Sequence, residues 1–187
     1  MNTPAHLIVG AAAFGHDRKT MWAAIGGGIL PDLSLYLLVF WAMFVQQIPD
    51  SVIFNQLYFS DAWQGIFAVD NSFILWGAVL GLGLYLTSGA LTAFAGSGLV
   101  HIGSDFLLHH DDGRAHFWPL SDWVFESPFS YWDSGHHALW IGPILALVTL
   151  VCVVVLWRRH APWGWRLAFF ALLMLEVNTL RSWVLYF

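Results

Sequence analysis

Charge is what this sequence has least of. Only 10% of its 187 residues are Asp, Glu, Lys or Arg, against about 25% in an average soluble domain. Such a chain lacks the polar surface that keeps a globule in water. It is also 58% hydrophobic, so a bilayer is its natural solvent. Cysteine is nearly missing. Cys152 stands alone inside an apolar run, which excludes an intrachain disulfide and a Cys-based zinc knuckle. Positive charge is scarce as well, and the net charge of −5 argues against a nucleic-acid partner. No phosphate-cradling loop, dinucleotide fingerprint or nucleophile elbow occurs. Gly26-Gly27-Gly28 runs into Pro31 and not into Lys-Ser/Thr. No basic region precedes the apolar stretch 7–14, so it reads as part of the mature fold and not as a signal peptide.

What is abundant points the same way. Twelve Trp and fifteen Phe suit a chain whose aromatic rings collect at membrane interfaces. The apolar segments predict an all-α fold: a polytopic membrane helical bundle of about five full spans plus a short N-terminal helix and an interfacial segment. Residues 1–187 form a single integral membrane domain. Residues 4–14 are too short to span alone, with Thr3 as N-cap and Pro4 at the first helical position. Residues 20–47 are a long apolar segment broken at Gly26-Gly27-Gly28 and Pro31. The stretch 51–60 is interfacial, 72–86 and 90–110 are two further helices, and 138–157 and 163–186 are clean spans. Residues 110–137 form a polar-aromatic, lid-like loop. Arg18, Lys19, Arg158, Arg159 and Arg166 fall in two short connections that alternation of the spans places on one side. The positive-inside rule makes that side cytoplasmic. The expectation is a multi-pass protein of the bacterial inner membrane, with the loop and its neighbouring site facing the periplasm.

The strongest chemical signal is His101-Ile-Gly-Ser-Asp105-Phe-Leu-Leu-His109. The spacing i, i+4, i+8 puts all three on one helical stripe. A carboxylate such as Asp105 costs about 2.5–3.5 kcal/mol at the bilayer centre. A metal ion or a hydrogen-bonded partner would offset that, so the stripe is either a ligand set or the lining of a polar groove. Asp32 sits at the Pro31 break, about as far from Lys19 as His6 is on the preceding helix. An antiparallel hairpin brings both to one depth, which pairs them as candidate ligands. Asp70-Asn71-Ser72 opens a span, and an N-cap is the stronger reading there.

The loop adds His110, Asp111 and His116 as weaker site candidates. Asp112, His136 and His137 read as a solvated turn. Arg114 fits an anionic substrate group or a lipid headgroup. Glu176 and Arg181 receive no site role.

His6, Leu30-Pro31-Asp32, a polar triplet opening the next helix, and His101-x-x-x-Asp105 followed by Trp118-Pro119 together resemble the YdjM-like inner-membrane metal-dependent hydrolases. The resemblance covers most of residues 1–120 in motif order. The stretch from His109 to Asp133 resembles a bacterial branch of that family that carries a cobalamin-biosynthesis label, for whose chemistry no nucleotide loop or amidotransferase Cys is present. The resemblance implies a divalent metal and hydrolysis, with zinc-dependent phospholipases as distant relatives.

On that reading His6, Asp32, His101 and Asp105 hold one or two divalent ions, and His109, His110 or Asp70 completes the shell. Zinc suits mixed N/O ligands best, and manganese or magnesium also fits. Asp111, Glu126 or His116 is the base. Arg114 and Trp118 meet a lipid-like phosphoester substrate at the membrane surface. Two positions depart from the family pattern. Ser34 stands where a second Asp is usual, and Asn71 stands where a ligand His is. Either Asp70, His110 and His116 compensate, or catalysis is lost. A transporter or non-catalytic metal-binding protein, and an accessory subunit of a membrane complex, are the competing readings.

Overall fold

The computed structural model describes residues 1–159 and 162–186. Among the described residues every regular element is helical: α1 Thr3–Phe14, α2 Arg18–Phe40 with a π turn at Trp41–Val45, α3 Asp50–Val52 with a π turn at Ile53–Leu57, α4 Asp61–Asp70, α5 Phe73–Tyr85, α6 Gly89–Leu108, α7 Ala138–Arg158 and α8 Trp163–Tyr186. Four segments are long and apolar enough to cross a membrane: Arg18–Val45, Asp61–Tyr85, Gly89–Leu108 and Ala138–Arg158. The helix α8 has comparable length, so a fifth crossing is compatible with this architecture.

Local chemistry explains the boundaries. Asp17 accepts from the backbone N–H groups of Lys19 and Thr20, and Thr20 Oγ1 accepts from Asp17 N, which closes a capping box on α2. Ser60, Ser72 and Ser88 cap α4, α5 and α6. In the Asp70-Asn71-Ser72 triplet the capping role therefore falls to Ser72. Residues ahead of the triplet are helical too, so the span expected to begin at Ser72 starts at Asp61 and is interrupted at Asn71. Pro31 does not end α2, which runs through it.

The helix α6 is the centre of the bundle and packs against α1, α2 and α5. Small residues permit this. A Cβ on Gly27 would lie 1.9 Å from the Phe94 carbonyl oxygen, and one on Gly10 would lie 2.0 Å from Ser97 Oγ, so both glycines are required by close helix approach. Ile8, Met21, Val153, Leu156 and Phe169 join α1, α2, α7 and α8 in one apolar cluster. Trp76, Ala95 and Ile102 form another between α5 and α6. Outward-facing Leu37, Phe40, Trp41, Leu147, Leu150 and Leu175 are exposed, as expected where hydrocarbon is the solvent.

Candidate metal centre

Three helices converge on one carboxylate. Asp105 near the end of α6 is buried, as are His6 of α1 and His101 one turn earlier on α6. His6 Nε2 lies 3.1 Å from Asp105 Oδ1, and His101 Nε2 lies 3.0 Å from Asp105 Oδ2. The two imidazoles stack, centroids 3.5 Å apart and tilted by 8°. His101 Nε2 is also 3.6 Å from Asp32 Oδ1, and His109 Nε2 is 3.6 Å from Asp105 Oδ1. A tetrahedral N/O shell with bonds of about 2.0–2.2 Å has edges of about 3.3 Å, so these separations suit a shared ion. One ligand atom each from His6, His101 and Asp105 falls within 4.8 Å of the other two, and this buried group could hold a metal ion.

The far side of each ring decides which nitrogen faces the carboxylate bare. His101 Nδ1 is 2.7 Å from the Gly28 carbonyl oxygen, which only accepts, so Nδ1 carries the proton. Ser104 Oγ spends its proton on the His101 carbonyl at 2.7 Å. Its contact with His6 Nδ1 at 3.4 Å therefore has the ring donating. Both Nε2 atoms are buried without a hydrogen-bond donor or acceptor in line. In the neutral rings they present lone pairs to carboxylate oxygens at about hydrogen-bond distance, an arrangement that a proton on one ring or a metal ion between them would relieve. Protonating both would stack two cations, a repulsion of about 5 kcal/mol at an effective dielectric of 20. Fixing the remote nitrogen of a ligating His through a carbonyl or carboxylate is how metal sites set ring orientation.

A cavity of about 180 Å³ opens beside the cluster, lined by Asp32, Asp105, His109, Asp112, Arg114 and His116 among others. His109 follows the end of α6 in extended backbone, so its ring turns back to Asp105 from outside the helix. Asp112 Oδ2 meets its Nδ1 at 2.8 Å in a bent contact. Burial alone would lower the His109 pKa, but the Asp105 and Asp112 carboxylates outweigh it and raise it. The Arg114 guanidinium is held over the rings of Tyr58 at 4.6 Å and Phe67 at 4.4 Å. His116 is buried. Its Nδ1 donates to the Arg114 carbonyl at 2.8 Å, and its Nε2 has no partner. Burial pushes its pKa down to about 4. Thr3 Oγ1 donates to Asp32 Oδ2 at 2.9 Å and also meets the Tyr36 hydroxyl. The Met1 amine lies 2.6 Å from Asp105 Oδ1.

Of the residues singled out in the sequence, His6, Asp32, His101, Asp105 and His109 come together around Asp105. Arg114 and His116 line the adjoining cavity. Others stand apart from it. Asp70 ends α4 half-buried, its carbonyl accepting from Trp76 Nε1. His110 stacks on His136 at 3.6 Å instead of turning inward. Asp111 and Glu126 are exposed. Trp118 acts through its backbone, accepting from Ser72 Oγ at 2.5 Å. Asn71 donates to the Pro31 and Phe67 carbonyls.

Sequence reasoning passed over Asp112, which reads as a solvated turn yet orients His109 and accepts from Trp132 Nε1 at 3.2 Å. Its place three residues after His109 is the one available hint. Tyr58, Tyr131 and Tyr36 carry no comparable signal. No protein-family model matches this chain, and no curated protein or solved structure matches it.

Proposed function

We propose that this chain is a metal-dependent hydrolase of the bacterial inner membrane, acting at the periplasmic face on a phosphoester or lipid-like substrate. The observation that carries the reading is the pair of buried imidazoles whose bare Nε2 atoms face one carboxylate. His6, His101 and Asp105 would hold the ion, with Asp32 and His109 at the next distance. The nitrogen-rich set favours zinc, and the two carboxylates also suit manganese or magnesium.

A bound divalent ion supplies hydroxide by lowering the pKa of its water towards about 7. Around it the chain's own groups have separate tasks. Arg114, held over two neighbouring aromatic rings, would present its guanidinium edge to an anionic oxygen. His116, neutral and with Nε2 unpartnered, serves as proton acceptor or donor at the cavity wall. Asp112 fixes the His109 ring. The loop 110–137 would cover the site on its open side, where Asp112, Arg114, His116 and Tyr131 line the cavity. The resemblance to YdjM-like hydrolases supports the reaction class, and the cavity's position at the end of α6 supports a substrate presented at headgroup level.

A second reading, metal binding without hydrolysis, is favoured by one feature. Asn71 commits its Nδ2 to two carbonyls and offers no imidazole. Detergent-purified protein decides between them. Hydrolysis expects near-stoichiometric zinc or manganese and turnover of a phosphodiester lipid analogue, both lost in Asp105→Asn. Metal without turnover selects the second reading, and no metal in the wild type overturns both.

A further inference from the structure

The opposite end of the bundle carries a second and larger cavity. About 20 Å of α2 separates Asp32 from Arg18, and there the α1–α2 turn faces the start of α8. The cavity has a volume of about 650 Å³, within the range of whole-molecule ligand sites, roughly 300–1,000 Å³. Its walls have two characters. His16, Arg18 and Arg159 line the polar part, whereas Met21, Trp22, Leu156, Trp165 and Ala168 line the apolar part.

Charge is segregated at this end. Of the seven Lys and Arg residues in the chain, Arg18, Lys19, Arg158, Arg159 and Arg166 lie in or beside these two connections. Among the described residues the one acid in the cavity wall, Asp17, is engaged as the α2 N-cap. Arg159 is held in place by donating one Nη1 hydrogen to the Ala12 carbonyl at 2.6 Å, and a guanidinium has four further N–H donors. Arg18 is exposed. The apolar part runs outward. Trp22 packs edge-on against Trp165 at 4.8 Å and is 59% exposed. Arg166 lies over Trp157 and Trp163 at 5.8 and 5.2 Å, which extends an aromatic and basic belt around this rim.

We propose that this cavity binds one anionic phospholipid, with its headgroup phosphate between Arg18 and Arg159 and its glycerol and first acyl carbons against Trp22 and Trp165. A soluble anion would leave the tryptophan wall unused. A zwitterionic headgroup gains less from a lining whose one carboxylate is already engaged. Basic pockets between membrane helices recognise anionic headgroups on these grounds, at about fivefold in affinity for each Lys or Arg.

Native mass spectrometry of the full chain, released from nanodiscs holding equal phosphatidylglycerol and phosphatidylcholine of the same acyl chains, tests this. The wild type should retain one phosphatidylglycerol in preference to phosphatidylcholine. Arg18→Gln should lower that preference about fivefold, and Arg18→Lys should largely keep it. Arg181→Gln removes the same charge near the far end of α8 and should leave the preference unchanged. Millimolar glycerol 3-phosphate should not displace the lipid. Equal retention of both lipids by the wild type overturns the proposal. So does an unchanged preference in Arg18→Gln, or an equal loss in Arg181→Gln, which would mark bulk charge. Displacement by glycerol 3-phosphate would make this a soluble-anion site and overturns it too. Far-ultraviolet circular dichroism, which reads the helical content, reports that each variant is folded.

Discussion

The molecule stacks histidines twice. His6 lies flat on His101 with centroids 3.5 Å apart, and His110 lies flat on His136 at 3.6 Å. In both pairs oxygen atoms meet the Nδ1 positions: Ser104 Oγ and the Gly28 carbonyl in the first, the Ser127 carbonyl and Asp133 Oδ2 in the second. The difference lies on the other edge of the rings. The first pair is sealed from solvent and its Nε2 atoms converge on Asp105. The second pair is partly exposed, and water can satisfy what its own partners do not. Among the described residues, only His6, His101 and Asp105 bring three ligand atoms within 4.8 Å. Stacked imidazoles are therefore not a metal site in themselves. Convergence on a shared carboxylate, away from water, is what makes the first pair a candidate ligand set.

The sharpest way to break this contrast is at its centre. Asp105→Asn should weaken zinc binding more than a hundredfold in a chelator competition, since it removes the charge on which the imidazoles converge. Retention of wild-type affinity would dissolve the distinction between the two pairs. Next in size is Asp112→Asn, which loosens the His109 ring. Loss of such an orienting partner costs about 10–100-fold in metal affinity, and no change would remove His109 from the shell.

A smaller effect concerns pH. His116 is held near a pKa of about 4 by burial, whereas the unfolded chain titrates near 6.5. The unfolded state takes up the proton first as pH falls. Stability is therefore full above about 6.5 and is lost towards 4, by roughly 1–3 kcal/mol. His116→Phe, which keeps a ring against Phe73 and Phe106, should flatten that decline in thermal melts recorded across this range. The least effect belongs to the exposed pair. Asp133→Asn and His110→Gln should change metal affinity less than twofold, because an exposed His–Asp contact contributes about 0–1 kcal/mol to stability and nothing to the buried shell.

Much of the cluster was legible because helical arithmetic is reliable. The i, i+4 spacing of His101 and Asp105 put both on one face, and equal distances from Lys19 matched His6 with Asp32 in depth. The loop was harder to read. Its residues are placed by tertiary contacts, so His110 and His116, six residues apart in sequence, face different surroundings. Asp112 looked like a hydrated turn because nothing in its neighbours shows that the His109 backbone becomes extended and swings inward. Pro31 signalled a break that α2 does not make. His101 Nδ1 donates to the Gly28 carbonyl, one residue beyond the acceptor that a proline at 31 leaves free.

That carbonyl has a mechanical consequence. It belongs to the main chain of α2, so no side-chain replacement can delete it, whereas Gly27 beside it lets α2 ride directly on the α6 backbone. The aim of the His101 ring is thus slaved to the spacing of two crossing helices. Any tilt of α2 driven by bilayer thickness would swivel that ring, and with it the Nε2 atom that faces Asp105.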